Sequence, residues 1–321
     1  MVLFFFVLSG VVLTRALLAT SPRLTPFTLI VYAAQRATRL CLPAAASVVL
    51  SIGLYQAFFD DVGQWPNGWL RELAWRQPPS LRMLANDTLL IGLDGDFDYN
   101  TVLWSLLHEL RISIFIPVLV AVSLFRRPVG WCSLAALGFI GPLALVLAVG
   151  PLYRRYLGSN ITESMFLSVY FSGAFALGAA YAFADPARRF PGNPVRKAVA
   201  AVVILALLCS TYDATGVLLS LAILWLAQQQ GSFSRALRTK PLVLNGRFSF
   251  SLYLAHVPVI LAVTQCVGSG VEGLLVCVAL IPLATLLLFH AAEQPAQFLA
   301  RRIGQAGRQS RFQPQRKASA V

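Results

Sequence analysis

Two arginines in this chain have a spacing that is suited to anion binding. Arg36 and Arg39 are three residues apart, so on a helix they share a face. Two guanidinium groups placed in this way bind phosphate through paired, charge-assisted hydrogen bonds. The alternative is that both arginines are ordinary anchors on the cytoplasmic side of a membrane segment. The spacing alone leaves both interpretations open.

A carboxylate, Glu109, lies inside an apolar run together with Ser105, His108 and Arg111. Ionisable groups at membrane depth are costly, so they indicate a functional site. Ser105 precedes Glu109 by four residues and shares its helical face. We expect Glu109 to orient an imidazole or to accept the proton of a substrate hydroxyl. The alternative is a structural Glu109–Arg111 region that bonds to another helix.

A histidine, His256, lies in the middle of a later apolar run. Tyr253 precedes it by three residues and Ser249 by seven, so the three are expected to project from one stripe of a helix. A neutral imidazole is suited to moving protons near neutral pH. The alternative is a structural histidine bonded to a backbone carbonyl. His290, near the end of the last run, is expected to lie at an interface or to interact with a helix end.

The composition indicates that these residues belong to an integral membrane protein. Of 321 residues, 57% are hydrophobic and only 12% are charged, against about 25% charged in soluble domains. This excludes a soluble globular protein. The five cysteines are scattered singly without histidine partners, so no disulfide framework or zinc site is expected. Nothing in the sequence predicts a metal or redox cofactor.

Apolar runs of the length that crosses a bilayer occur nine times. They lie near Val2–Thr20, Leu40–Phe59, Thr101–Phe125, Val129–Leu152, Ser164–Ala184, Ala198–Tyr212, Thr215–Gln229, Leu242–Val263 and Val271–Ala292, with a turn expected around residues 213–216. The small residues of 171–180 predict close helix packing. The predicted fold is an all-α, polytopic integral membrane helix bundle with about nine transmembrane helices.

The basic residues orient this bundle. The net charge is +13, and 20 of the 26 Lys and Arg residues fall on one set of alternating loops, against 5 on the other. Cytoplasmic loops retain Lys and Arg, so the C-terminus is predicted to be cytoplasmic. The charge is therefore a topology signal, and no nucleic-acid partner is expected. We predict a transmembrane domain over 1–300 and a basic tail over 301–321, disordered and held near anionic headgroups.

Two features of the outer side follow from this orientation. An odd number of spans puts Met1 outside, so we expect one further helix upstream of this chain. The longest outer segment, about 60–100, contains Trp65, Trp69, Trp75 and several aspartates. It is either an ordered cap or an interfacial loop, and clustered tryptophans favour anchoring at the headgroups. Asp94–Asp98 lacks the complete pattern of a calcium loop, so no metal is predicted there.

Five strings, taken in order, resemble the acyltransferase-3 family of integral membrane, acyl-CoA-dependent O-acyltransferases. They are Phe5-Phe6-Val7-Leu8-Ser9-Gly10 (F-F-x-x-S-G), Arg36-Ala37-Thr38-Arg39-Leu40 with Pro43 (R-x-x-R-L…P), Trp104-Ser105-Leu106 with Glu109 and Pro117 (W-S-L-x-x-E…P), the stretch from Gly246 to Pro258 (G-R-I-S-Y-S-L-Y-L-x-H-x-P), and Glu293-Gln294-Pro295 (E-x-P). Each string is weak by itself, but the shared order makes the resemblance specific.

The resemblance implies a reaction and its substrates. The donor would be acyl-CoA, the acceptor a hydroxyl of a cell-surface polysaccharide, glycolipid or similar molecule, and the location a bacterial inner membrane. Glu109 and His256 become the candidate catalytic residues. The candidate substrate-binding residues are Arg36, Arg39, Trp104, Ser105, Ser249 and Tyr253. The family's presumed catalytic histidine lies in a first helix, in an Arg-x10-His pattern, and this sequence begins after it.

Three functions remain open from the sequence. The first is an O-acyltransferase, with His256, His108 or a histidine upstream of this chain as the base, and with transfer either direct or through a relay across the membrane. The second is a catalytically inert membrane protein that binds acyl-CoA or a partner. The third, a transporter, lacks a clear inverted repeat or paired broken helices.

Overall fold

The computed structural model describes residues 2–20, 25–59, 74–92, 97–122, 126–149, 161–186, 193–208 and 213–318. All regular secondary structure in these ranges is helical. Among the described residues, six helices are long and apolar enough to cross a membrane, and shorter apolar helices accompany them. The predicted all-α, polytopic membrane fold is confirmed.

The helices follow the predicted spans but differ at their ends. In chain order they are α1 (Val2–Thr20), α2 (Pro26–Phe58), α3 (Leu81–Leu89), α4 (Leu103–Ala121), α5 (Pro128–Val149), α6 (Ile161–Ala184), α7 (Pro194–Leu208), α8 (Asp213–Gln228), α9 (Ser232–Leu237), α10 (Lys240–Cys266), α11 (Val271–Leu288) and α12 (Gln294–Ala318), with a π-helical segment, Phe289–Glu293, between the last two. The turn expected at 213–216 is wrong, because these residues begin α8.

The chain divides into two compact units. The first contains the described residues of Met1–Leu24, Arg111–Leu157 and Thr162–Asn245. The second contains those of Thr25–Leu110, Gly158–Ile161 and Gly246–Val321. All candidate site residues named from the sequence belong to the second unit, so each unit is described by itself.

Small residues bring helices of the first unit together, as the sequence predicts. A Cβ atom at Gly10 of α1 would overlap the Phe175 carbonyl of α6, and one at Gly178 would overlap the Val7 carbonyl. Phe6 and Phe171 stack beside this crossing with ring centroids 4.6 Å apart. Close backbone approach of this kind stabilises helix pairs where no hydrophobic effect acts between them.

In the second unit, α2 begins much earlier than the apolar run indicates. Thr25 caps it, because its hydroxyl accepts from the Thr28 N–H and the Thr28 hydroxyl accepts from the Thr25 N–H. Pro26 at the first helical position has the required backbone angle. The helix has 33 residues, or about 50 Å, which exceeds the roughly 30 Å of a bilayer core. Arg36 and Arg39 therefore lie well inside the helix. Because the helix is longer than the bilayer core, their position at the cytoplasmic end of a span stays a prediction.

The predicted disordered tail is helical as far as Ala318, since α12 continues beyond Arg301. Gly304 and Gly307 explain the difference. A Cβ at Gly304 would overlap the Gln35 side chain, and one at Gly307 would lie 2.9 Å from the Val31 methyl groups. Because these positions lack side chains, α12 packs directly on α2. The proposed domain division at residue 300 stays a prediction.

The described part of the segment that is predicted to lie outside is ordered and packs on the helices of its unit. Trp75 is 1% exposed, and its indole N–H donates to the Ser51 hydroxyl at 3.0 Å. Asp98 accepts from the Arg76 side chain at 2.8 Å. Burial raises the pKa of the Tyr99 phenol, whose hydroxyl donates to the Gln77 carbonyl at 2.7 Å. Headgroup anchoring is therefore wrong for Trp75, while Trp65, Trp69, Asp94 and Asp96 lie outside the described residues.

Candidate functional site

A buried ion pair joins α2 and α4 in the second unit. The Arg36 guanidinium donates to the Glu109 carboxylate, with Nη2 and Oε1 2.5 Å apart. The two side chains are 11% and 5% exposed. Arg36 lies ten residues into α2, about 15 Å from the start of the helix. The sequence identified both residues but did not pair them, since they come from helices 73 positions apart.

This pair sets a constraint on both residues. Two charges removed from water pay a large desolvation cost, and removing one partner leaves the other uncompensated at a cost of about 3–5 kcal/mol. The Arg36 Nε atom is also buried and has no hydrogen-bond partner among the described residues. Arg36 is therefore bonded to Glu109 through Nη2, while its Nε donor is unused, and phosphate binding by Arg36 stays a prediction.

Further ionisable groups surround this pair. The charge of Arg39 interacts with those of Glu109 and Glu293. Tyr32, one turn before Arg36 on α2, lies within electrostatic range of Arg36 and Glu109. Tyr32 was not identified from the sequence, although its spacing of four residues from Arg36 was a usable signal.

The second carboxylate, Glu293, belongs to the π-helical segment and is 5% exposed. The Ser251 hydroxyl donates to its Oε2 at 2.5 Å, and the Gln297 amide donates to its Oε1 at 2.9 Å. Both oxygens are thus satisfied by neutral groups. A buried carboxylate held in this way keeps its geometry without a directly bonded arginine.

Ser105 and Tyr253 lie in contact, a pairing that the sequence did not predict. Their hydroxyl oxygens are 2.7 Å apart, and the Tyr253 hydroxyl also lies 3.1 Å from the Val102 carbonyl. Tyr253 is within electrostatic range of Glu109. These contacts join α4 and α10 beside the ion pair and place both predicted substrate-binding hydroxyls at one location.

His256 lies one turn beyond Tyr253, with the two rings 5.8 Å apart. Its Nδ1 atom is 3.3 Å from the Leu252 carbonyl. A carbonyl only accepts hydrogen bonds, so Nδ1 carries the proton of a neutral ring and Nε2 has the lone pair. The histidine thus makes the backbone contact of the structural alternative, yet retains a basic nitrogen.

The remaining predicted site residues have separate environments. Ser249 is exposed, and its hydroxyl donates to the Gly246 carbonyl of its own helix at 2.9 Å, so it does not join Tyr253. Trp104 is half-buried and packs edge-on against His108, at 6.0 Å between ring centroids. His108 is 1% exposed. Arg111 donates to the Ser164 hydroxyl at 2.6 Å within the first unit, and Glu109 accepts from Arg36 of α2. Both residues thus bond to another helix, as the structural alternative describes.

Asn100, which was not identified from the sequence, holds α10 in place. Asn100 is completely buried, and its amide nitrogen donates to the Leu254 carbonyl at 2.9 Å and to the Ser47 hydroxyl at 3.0 Å. Pro258, four residues after Leu254, has no N–H to give that carbonyl. Asn100 therefore supplies the hydrogen bond that proline removes, directly between Tyr253 and His256 in sequence.

Within the described ranges, no group of three or more His, Cys, Asp or Glu side chains is placed to hold an ion. His290, on the π-helical segment, is exposed and its Nδ1 lies 3.2 Å from the Gln294 side chain.

The fold and site define a multi-pass helical membrane protein with an ion-paired carboxylate buried between its helices. A family model described as an acyltransferase domain, that of the acyltransferase-3 family, matches residues 1–289. The chain therefore belongs to the acyltransferase-3 family, and the resemblance seen in the motifs is confirmed. No curated protein and no solved structure matches the chain.

Proposed function

We propose that this protein is a membrane-bound O-acyltransferase. It transfers an acyl group, acetyl in the simplest case, from acyl-CoA to a hydroxyl of a cell-surface polysaccharide, glycolipid or similar acceptor. The observation that carries the proposal is the buried Arg36–Glu109 pair beside Ser105 and Tyr253, in a chain of an acyltransferase family. Ionisable groups inside a helix bundle are costly and are retained for function.

In the reaction, the acceptor hydroxyl oxygen attacks the carbonyl carbon of the thioester. A C–O bond forms and the C–S bond breaks. The hydroxyl proton passes to a base and then to the sulfur, which leaves as the free thiol of CoA. Among the residues of this chain we assign the base to His256, because its Nε2 atom retains a lone pair when Nδ1 donates to the Leu252 carbonyl.

Glu109 acts on the same reaction as a fixed acceptor of hydrogen bonds. Arg36 anchors one carboxylate oxygen, so the position of the group is set before substrate binds. A preorganised charge of this kind stabilises positive charge that develops on the base or on the attacking hydroxyl. Tyr253 and Ser105, hydrogen-bonded to each other, supply hydroxyls that orient the acceptor.

The donor enters from the cytoplasmic side, where its phosphates meet Arg39. The excess of Lys and Arg on one set of loops supports a cytoplasmic C-terminus. The membrane in this proposal is a bacterial inner membrane. Arg36 has a smaller part in phosphate binding than Arg39, since Glu109 occupies it.

Acyl transfer is tested on membranes that contain the protein expressed from its native locus. Radiolabelled acetyl-CoA is supplied, and both thiol release and label in the acceptor fraction are measured. His256→Asn is expected to lose transfer while inserting normally. Glu109→Gln is also expected to lose transfer, and since it leaves Arg36 unpaired, its yield of folded protein is measured alongside. His290→Gln is the matched control, because this histidine is exposed and bonded to its neighbour on the same helix. Transfer that survives in both site variants would overturn the assignment of these residues, and an inactive wild-type protein would overturn the reaction.

A further inference from the structure

Helix α12 packs against the part of α2 that contains Arg36 and Arg39. Gln35 of α2 donates from its side-chain amide to the Ala300 carbonyl at 2.9 Å. Gly304 lies against the same Gln35 side chain, and Gly307 lies against Val31. Positions further along α12 therefore contact earlier positions of α2. The two helices run antiparallel and in close contact within the second unit.

This register brings Arg39 and Arg301 together. Arg39 follows Gln35 by one helical turn, and Arg301 follows Ala300 directly. Side chains on a helix lean toward its N-terminus. Because α2 and α12 run antiparallel, the Arg39 side chain leans along the helix axis toward Arg301, and the Arg301 side chain leans toward Arg39. Their charges are close enough to repel each other. Both residues are exposed.

The carboxylates nearby do not neutralise these arginines by direct pairing. Glu109 is bonded to Arg36, and Glu293 accepts from Ser251 and Gln297. Within the described part of the chain, neither Arg39 nor Arg301 forms an ion pair with a carboxylate. Three guanidinium groups face two carboxylates, which leaves one positive charge. Like charges held close together are unfavourable unless an anion is bound between them.

We propose that Arg39 and Arg301 together bind a diphosphate group, one phosphoryl per guanidinium. Arginine suits this task because its planar fork makes two parallel hydrogen bonds to phosphate oxygens. The assignment of this diphosphate to the acyl-CoA donor rests on the proposed function. Arg301 lies beyond residues 1–289, which the family model matches, so the family assignment does not include it. The segment predicted to be a disordered tail then forms one wall of the donor site.

The test measures the affinity of CoA for the whole protein in nanodiscs of neutral phosphatidylcholine, by calorimetric titration. Arg301→Gln is compared with Arg302→Gln, a matched control on the next residue, whose guanidinium instead lies 4.6 Å from the Phe298 ring centroid. Arg301→Gln is expected to weaken CoA binding by about tenfold, the loss of one charged hydrogen bond. Arg302→Gln is expected to leave the affinity close to that of the wild type.

A double variant with Arg39→Gln strengthens the test. If both arginines hold one diphosphate, the effects of the two substitutions on CoA affinity are not additive. Arg301→Lys, which keeps the charge but loses the fork, is expected to fall between the wild type and Arg301→Gln. Equal effects of Arg301→Gln and Arg302→Gln would show a general basic surface and overturn the proposal, even if wild-type CoA binding and acyl transfer persist.

Inorganic pyrophosphate and anionic lipid separate this site from the donor assignment. Pyrophosphate binding that depends on Arg301, in a protein that binds no CoA, would support the anion site and overturn the donor. Nanodiscs with phosphatidylglycerol test a lipid headgroup as the source. Loss of bound phosphatidylglycerol in Arg301→Gln, with unchanged CoA affinity, would assign the arginine to lipid and overturn its role toward the donor.

Discussion

The side-chain amide of Asn100 lies 2.9 Å from the main-chain carbonyl of Leu254 and hydrogen-bonds to it. Leu254 needs this partner because Pro258, four residues later, has no N–H. A carbonyl without a hydrogen bond inside a bilayer cannot be satisfied by water, because the bilayer core contains none. The contact ties the residue that precedes α4 to the part of α10 that carries Tyr253 and His256.

The partnership between Asn100 and Pro258 is testable by rescue. Asn100→Leu keeps the volume but removes the donor, and it is expected to destabilise the protein by about 1–3 kcal/mol. Adding Pro258→Ala restores an N–H to the helix and is expected to recover part of that loss. Thermal unfolding in detergent measures both variants. Additive effects of the two substitutions would contradict the compensation.

Variants of the Arg36–Glu109 ion pair are expected to affect stability and acyl transfer separately. Arg36→Met leaves Glu109 buried without its partner and is expected to cost about 3–5 kcal/mol. The double variant Arg36→Met/Glu109→Met removes both charges and is expected to recover most of the stability, with acyl transfer still absent. The yield of folded protein on size exclusion and the transfer assay report the two properties. Recovered transfer in the double variant would show that the carboxylate is structural.

Tyr253 is expected to act through its hydroxyl. Tyr253→Phe removes the contacts to Ser105 and to the Val102 carbonyl, which costs about 0.5–1.5 kcal/mol of stability. We expect a larger KM for the acceptor and an unchanged KM for acyl-CoA. Ser105→Ala removes the other half of the pair, and its effect on the acceptor KM is expected to overlap with that of Tyr253→Phe. A change in the donor KM alone would place Tyr253 elsewhere.

The helix crossing in the first unit depends on glycine. Gly178→Val would force side-chain atoms into the Val7 backbone, so little folded protein is expected. Gly53→Val is the matched control, because a Cβ at this helical position meets nothing within 4 Å. Fluorescence-detected size exclusion compares the two. Equal yields of monodisperse protein from both variants would contradict the packing at Gly178.

The orientation of the bundle gives a simple fusion test. A C-terminal fluorescent protein is expected to fold and emit, since it stays in the cytoplasm, whereas a C-terminal alkaline phosphatase is expected to be inactive there. The physical basis is the retention of Lys and Arg on the cytoplasmic side. An active phosphatase fusion would reverse the topology and with it the side from which the donor enters.

The sequence alone determined the class of the fold and the family. Bilayer thickness sets the length of a spanning helix, so hydropathy located the helices without knowledge of their neighbours. The order of short motifs from Phe5 to Pro295 indicated the family that the model match then showed. Arg36, Glu109, Ser105 and Tyr253 were all identified from residue type and position.

The tertiary structure decided which of these residues meet. The pairs Arg36–Glu109, Ser105–Tyr253 and Asn100–Leu254 join positions 73, 148 and 154 residues apart, and no local pattern specifies such contacts. For the same reason the sequence misjudged α12. Its polar composition reads as disorder, whereas Gly304 and Gly307 allow it to pack against Gln35 and Val31. Length and hydropathy are local properties, while packing determines the partner of a buried charge or of a buried carbonyl that lacks a helical hydrogen bond.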